Sequence, residues 1–147
     1  MKKLILLLIG VLMINNVSSE KVAVIGLDGA DWDQIEPLMD EGEMPNLREA
    51  MENGDSASLE SSYPAMSPVA WSTYTTGTDP SVHGIYDFMQ LKDGEFKPIT
   101  SEDINKPYFW NQMGRKSVVV NIPMTFPPKE LNGALVSGYL SSKDTTY

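Results

Sequence analysis

The chain has 147 residues, no cysteine, one histidine and a formal net charge of −9 at pH 7. This length suits a single domain, and the lack of cysteine excludes disulfides, thiolate metal ligands and a cysteine nucleophile. Nucleic-acid binding needs clustered Lys and Arg against the phosphates, so the acidic balance argues against it and is read as a solubilising surface.

The first segment has the pattern of a secretory signal peptide. Lys2 and Lys3 precede an apolar run over 4–14, and small residues lead up to Ser19. This combination is typical of signal peptides, and the run is short for a bilayer span. We expect cleavage after Ser19, so that 20–147 is exported to a periplasmic, extracellular or membrane-associated location. The alternatives are a buried N-terminal element or an uncleaved anchor, which would be the chain's one membrane contact.

The first predicted elements of the mature part are a strand and two helices. Lys21–Asp28 is a nearly continuous apolar run, which predicts a strand buried on both faces of a parallel sheet. Apolar residues at helical spacing predict helices over Asp31–Met39 and Met44–Asn53. Ser56–Glu60 is predicted as a short strand.

A third helix is predicted over Ser67–Thr76 from its punctuation. Ser67 suits the N-cap, Pro68 suits the first helical position, and Gly77 follows the last turn. The residues Thr78–Gly84 are predicted as a loop.

The remaining elements are a hairpin, a short helix and two strands. In order they are Ile85–Leu91 and Glu95–Ile99 around the turn 92–94, a helix over Pro107–Met113, and strands over Lys116–Ile122 and Ala134–Tyr139. This order predicts an α/β fold with a mostly parallel sheet flanked by helices. Ligands of such sheets bind beyond the carboxyl ends of the strands.

Asp28 stands at a predicted carboxyl end and is followed by Gly29. A carboxylate there projects into the ligand crevice, and divalent cations take carboxylate oxygens. Asp28 is therefore a candidate metal ligand. The alternative is an aspartate that opens a turn or caps the next helix.

Ser67 is the second candidate, because it begins a predicted helix. The N-terminus of a helix carries partial positive charge, which favours an alkoxide and binds the phosphate that it attacks. The alternative is an ordinary N-cap serine.

Three stretches together resemble the N-terminal part of the type I phosphodiesterase/nucleotide pyrophosphatase group of the alkaline phosphatase superfamily. They are Val24–Gly29, Ser67–Gly77 and Asp79–Ile85, and the segment 120–128 looks like a poorly characterised branch of the same family. In that family a strand that ends in Asp-Gly supplies a metal ligand. A Thr or Ser ten residues before the glycine of a Thr-Gly pair is the nucleophile, and Ser67 lies ten residues before Gly77.

The resemblance implies an alkaline-phosphatase-like fold and a metal-dependent hydrolase of small phosphate esters, most directly diesters. It implies two divalent metal ions, probably zinc by resemblance alone, with Asp28 and Ser67 among the ligands. Ser67 would form a phosphoseryl intermediate that water hydrolyses. Two alternatives stay open: a phosphomonoesterase or phosphoglycerate-mutase-like transferase, and a truncated, inactive remnant or binding domain of the fold.

The chain departs from its relatives at three places. Phe88 stands where nucleotide pyrophosphatases carry a phosphate-binding Asn, so nucleotide specificity is not implied. Pro68 and Trp71 do not fit the motif of the arylsulfatase relatives. The family's remaining ligands, an Asp, an Asp-His pair and a further His, come from later sequence, so the fold and site are expected to be incomplete in this chain.

The other polar and aromatic candidates are assigned structural roles. His83 is predicted as a loop or capping histidine, because its family counterpart is not a ligand. Asp31 and Asp33 are predicted as first-turn helix acids. Five aromatic residues are predicted to be core rather than a base-stacking platform: Trp71, Tyr74, Phe88, Phe109 and Trp110.

Overall fold

The computed structural model describes residues 21–139, and the chain divides into two compact units, 1–30 and 31–147. The predicted signal peptide lies outside the described residues. None of the helices within 21–139 is long and apolar enough to cross a membrane.

In the first unit, residues 21–27 form no helix or strand and lead into a turn at Asp28 and Gly29. The prediction of a buried strand over Lys21–Asp28 is therefore wrong for this structure, and Val22 and Ile25 are 81% and 86% exposed. A strand is held by hydrogen bonds to its neighbours, so an apolar run becomes one only where its backbone finds a partner.

The second unit begins with two short helices, α1 (Trp32–Asp40) and α2 (Pro45–Glu52). Asp31 caps α1, and its carboxylate accepts a hydrogen bond from the N–H two residues later, at 3.1 Å. Arg48 of α2 joins the two helices: its Nε donates to the Met39 carbonyl at 3.1 Å, and its guanidinium pairs with the carboxylate of Asp40 at 2.6 Å. Asp31 thus has a capping role, close to the predicted one.

The next helices are α3 (Ser67–Thr76) and the single turn α4 (Pro80–His83). The prediction for the span of α3 is confirmed, and Gly77 ends it in the left-handed conformation with φ 66°. The N-cap is Met66 rather than Ser67, because Met66 is the last extended residue and its carbonyl accepts the first helical hydrogen bond. The predicted loop after Gly77 contains α4.

A hairpin follows, made of β1 (Met89–Lys92) and β2 (Glu95–Pro98) in antiparallel register. The two turn residues, Asp93 and Gly94, have φ values of 54° and 82°. Such a pair matches the right-handed twist of the strands, so the Asp-Gly signal set the register as predicted. A 3₁₀ turn at Ser101–Asp103 follows the hairpin.

The last elements are α5 (Phe109–Gln112) and two strands, β3 (Ser117–Ile122) and β4 (Gly133–Ser137), which pair in parallel. The predicted parallel pairing of these strands is confirmed, whereas α5 is shorter than predicted. Ser56–Glu60 has no strand. The described chain is therefore mixed α/β, consistent with part of an alkaline-phosphatase-like fold.

The hydrophobic core of the second unit gathers the hairpin base, the 99–110 segment and the β3 region. Its buried members are Ile85, Ile99, Ile104, Tyr108, Trp110, Val119 and Met124. Tyr108 donates from its hydroxyl to the Met124 carbonyl at 2.7 Å, which pairs the one polar atom of that side chain.

A chain of edge-to-face contacts joins α3 to this core. Tyr74 lies 5.7 Å from Trp71 and 5.7 Å from Phe109, which in turn lies 5.0 Å from Trp110. The prediction that these residues are core is confirmed for Trp110, whereas Tyr74 keeps 39% of its surface exposed.

Candidate functional site

Asp28 lies in an exposed turn at the end of the extended segment 21–27. Gly29 has φ +69°, and a Cβ built on it would meet nothing within 4 Å. The backbone conformation, not crowding, therefore explains the glycine. An exposed carboxylate beside an unobstructed glycine is accessible to a ligand, and it also suits the turn role that the sequence left open.

Ser67 is the first residue of α3 and is half-buried. The two residues after it, Pro68 and Val69, are buried and fix this end of the helix in the second unit. The regular hydrogen bonds begin with the Ala70 N–H, which donates to the Met66 carbonyl at 2.9 Å. Ser67 therefore stands on an anchored helix N-terminus, where the partial positive charge favours negative oxygen.

Asp28 belongs to the first compact unit and Ser67 to the second. Within residues 21–139, no group of three or more His, Cys, Asp or Glu side chains is arranged to hold a metal ion. A catalytic zinc ion normally takes three protein ligands and leaves one position open. The donors of the described chain therefore do not fit a complete zinc site.

His83 is fully buried at the end of α4 and both of its ring nitrogens have partners. The backbone N–H of Ile85 donates to Nδ1 at 3.1 Å, so the ring proton must sit on Nε2. Nε2 lies 3.0 Å from Oγ1 of Thr73 and donates to it. Burial lowers the pKa of His83, and the nearby Asp79 carboxylate opposes that shift. The imidazole is thus a neutral, structural group.

The segment after His83 closes over it. The His83 carbonyl accepts from the Asn105 N–H at 3.1 Å, and Gly84 turns the chain with φ 84°. The sequence placed His83 in a loop and missed its burial and its link to Thr73. A histidine in a last helical turn, directly before a left-handed glycine, is the signal that marks a capping position.

A cavity of about 580 Å³ opens beside this link. It lies between the 60–63 loop, α3 and the start of α4, within the second unit. Its lining holds two carboxylates, two phenols and four aliphatic hydroxyls, but no Lys or Arg: Glu60, Ser61, Ser62, Tyr63, Thr73, Asp79, Pro80, Ser81 and Tyr86. Ser67 is not among the lining residues.

Phe88, at the position of the family's phosphate-binding Asn, is half-buried before β1. Its N–H donates to the Asp87 carboxylate at 2.5 Å, and its carbonyl accepts from the Ile99 N–H at 3.0 Å. Its backbone therefore extends the hairpin, and its side chain has no hydrogen-bond donor for a phosphate.

The carboxyl ends of β3 and β4 are joined through Thr125, which is fully buried. Its hydroxyl donates to the Ile122 carbonyl at 2.7 Å and accepts from the Gly138 N–H at 3.3 Å. The Ser137 hydroxyl donates to the Thr125 carbonyl at 2.9 Å. Thr125 thus has a structural role that the sequence did not indicate.

The sequence model of one family, described as type I phosphodiesterase / nucleotide pyrophosphatase, matches residues 22–136. The matched stretch contains both Asp28 and Ser67. Comparisons with curated proteins and with solved structures gave no significant match. Because the match covers most of the chain, this protein belongs to the type I phosphodiesterase/nucleotide pyrophosphatase family of phosphoester hydrolases.

Proposed function

We propose that this protein hydrolyses small phosphate esters, diesters in preference to monoesters, with Ser67 as its nucleophile. The family match carries the proposal, because it spans the Asp-Gly turn and the Ser67 helix in one continuous stretch. The position of Ser67 at the anchored N-terminus of α3 supports it, since helix N-termini favour phosphate and alkoxide oxygens.

In the proposed reaction, the Ser67 oxygen attacks phosphorus and the bond from phosphorus to the leaving alcohol breaks. The serine hydroxyl proton is transferred to solvent, and the leaving oxygen regains a proton from solvent. Water then attacks the phosphoseryl group, releases the phosphate product and restores the serine hydroxyl. Donors at the start of α3 would face the negative oxygens of both steps.

Two divalent metal ions, with zinc as the proposed element, belong to the same proposal, and Asp28 and Ser67 are the ligands that we assign to them. Asp28 offers an exposed carboxylate, which is a ligand type that zinc accepts. The described residues do not complete such a site, so no step of the reaction is derived through the metal.

Export is proposed on the N-terminal pattern of Lys2, Lys3 and the apolar run that follows. Mass spectrometry of the exported protein should find Glu20 as its first residue. An exported, soluble product that still begins with Met1 would contradict this proposal.

The test compares Ser67→Ala with Ser72→Ala in protein made from its complete reading frame, with zinc in the buffer. If the frame continues past Tyr147, the longer product is the one to assay. Ser72 lies on the same helix and is fully buried, so it cannot touch a substrate and provides a matched loss of one hydroxyl. A chromogenic diester and the corresponding monoester are assayed in parallel.

We expect Ser67→Ala to lose several orders of magnitude in diester turnover, because a covalent nucleophile is removed. Ser72→Ala should retain most of it. Full activity of Ser67→Ala would place the nucleophile elsewhere. Faster turnover of the monoester would replace the diesterase proposal with a phosphomonoesterase.

A further inference from the structure

The cavity between the 60–63 loop, α3 and α4 has a composition that excludes its use for phosphate. Two carboxylates, those of Glu60 and Asp79, line it, and none of its lining residues is Lys or Arg. Anions are bound by Arg, Lys or clustered N–H donors, and two carboxylates repel them. The ligand that this lining favours is therefore a cation.

Two phenol rings, Tyr63 and Tyr86, complete the walls of the same cavity. Aromatic faces attract ammonium groups through their quadrupole, by about 0.5–1 kcal/mol at exposed sites. The volume of about 580 Å³ lies in the range of small-molecule sites. Carboxylates and aromatic rings in one cavity of this size indicate an organic amine.

The Thr73 hydroxyl adds a directed donor to the wall. Because the Ile85 N–H occupies Nδ1 of His83, Nε2 carries the proton and Thr73 Oγ1 must accept it. The Thr73 hydrogen is then available to a further acceptor, and among residues 21–139 it donates to no protein oxygen. Since Thr73 lines the cavity, an oxygen of the ligand is the acceptor that this geometry offers.

We propose that this cavity is a binding site for a small primary amine that also carries a hydroxyl oxygen, an amino alcohol. Its ammonium group is attracted by Glu60 and Asp79 and by the tyrosine rings, and its oxygen accepts from Thr73. His83 is a positioning residue, because it fixes the direction of the Thr73 hydroxyl. This site is separate from Ser67, which lies six residues earlier, about 9 Å along the helix axis.

The test is a titration of the complete 147-residue chain at pH 7.5 and constant ionic strength, followed by backbone amide NMR shifts. Ethanolamine is the probe, ethylamine lacks its oxygen, and ethylene glycol lacks its charge. Inorganic phosphate is the anion control. Ethanolamine should give saturable shifts around Thr73, Ser81 and Tyr86, with millimolar affinity because the carboxylates are solvent-exposed.

The charge requirement is tested with Glu60→Gln and Asp79→Asn. Each should weaken ethanolamine binding about threefold, which is the scale of an exposed ion pair. Glu52→Gln, at the end of α2, makes the same charge change outside the cavity and should leave the affinity unchanged. An equal effect of Glu52→Gln would reduce the binding to general counter-ion attraction and overturn the site.

The donor is tested with Thr73→Val against both amines. The variant should weaken ethanolamine binding by about three- to tenfold, the scale of one hydrogen bond, and leave ethylamine binding unchanged. Thr73→Ser keeps the hydroxyl and should retain the wild-type affinity, which also covers the case in which Thr73→Val is unstable. Equal losses for both amines, saturable phosphate binding, or no saturable amine binding would each overturn the proposal.

Discussion

Thr73 and His83 are ten residues apart in the chain, and the buried imidazole spans from α4 to α3 with Nε2 3.0 Å from Oγ1. The bond fixes α4 against the middle of α3. It works only while the ring is neutral, because Nδ1 must accept from the Ile85 N–H. Protonation would place a second ring proton against that donor and an unpaired charge in the interior.

The first prediction is that the chain loses stability as the pH falls below about 6.5. Burial lowers the pKa of His83 in the folded state, so the unfolded chain binds its proton first. The stabilisation is complete above the unfolded pKa, and it declines by at most about 1.4 kcal/mol per pH unit as the pH falls towards the folded pKa.

The measurement is the urea midpoint at pH 7.5, 6.5 and 5.5 for the wild type and His83→Gln. The chain has a single histidine, so no other imidazole contributes to this window. His83→Gln should be less stable at pH 7.5 and nearly independent of pH down to 5.5. A wild-type midpoint that stays constant over the three pH values would contradict the prediction.

A second prediction concerns Gly133, the first residue of β4. A Cβ on Gly133 would lie 1.7 Å from the Ser117 carbonyl oxygen, a backbone atom of the neighbouring strand. Gly133→Ala should therefore cost roughly 3 kcal/mol or more, because β4 must move away from β3.

The matched control is Gly42→Ala, after α1. Gly42 has φ +82° but open space around its Cβ position, so only the left-handed conformation is penalised, at about 1–2 kcal/mol. Chemical unfolding of both variants separates the backbone clash from the conformational term. Equal losses of stability would show that β3 and β4 do not approach so closely in solution.

The sequence predicted those elements whose ends are marked by local chemistry. Gly77 fixed the end of α3, and the Asp93-Gly94 pair fixed the hairpin register, because only certain residues adopt positive φ at low cost. The two strands β3 and β4 were found from their apolar runs, and both have a partner.

Features that depend on distant parts of the chain were not predictable. Residues 21–27 have the composition of a buried strand but form none here, since pairing is not encoded in the run itself. The Ser67 cap was misplaced by one residue, because Met66 and Ser67 differ only in backbone angles. The Thr73–His83 bond joins two helices, so helical periodicity in either one carries no sign of it.

A third prediction compares two aspartates that pair with lysines near the hairpin. Asp103 accepts from the Thr100 N–H at 2.8 Å and from the Lys92 ammonium, and its side chain is 10% exposed. Burial raises the pKa of Asp103, but Lys92 and the Thr100 hydrogen bonds outweigh it and hold the pKa below its usual value. Asp103→Asn should therefore cost about 1–3 kcal/mol at pH 7.

The control is Asp93→Asn, whose partner Lys97 is 3.7 Å away and whose side chain is 93% exposed. An exposed pair contributes about 0–1 kcal/mol, and asparagine suits the left-handed turn position, so this variant should stay close to wild type. The contribution of Asp103 is present above about pH 4 and is lost as the pH falls through its lowered pKa. If Asp103→Asn were as stable as Asp93→Asn at pH 7, the pairing would contribute little.

The last prediction is that residues 1–147, expressed alone, bind zinc weakly and show no significant phosphodiesterase turnover. A two-metal site needs about twice the three protein ligands of a single catalytic zinc ion. The whole chain has one histidine and no cysteine, and that histidine uses both ring nitrogens for Thr73 and Ile85. Within residues 21–139 no cluster of three ligands exists, so Asp28 and Ser67 have no support from this part of the chain.

Calorimetric titration with zinc, alongside a chromogenic diester assay, measures both parts of this prediction. Asp28→Asn is the informative variant, because it removes the assigned carboxylate ligand from an exposed turn at little cost to the fold. Weak wild-type binding that falls further in Asp28→Asn would agree with a single isolated ligand. Tight binding of two zinc ions with diester turnover would mean that residues other than Asp28 and Ser67 complete the site, and that the ligand assignment is wrong.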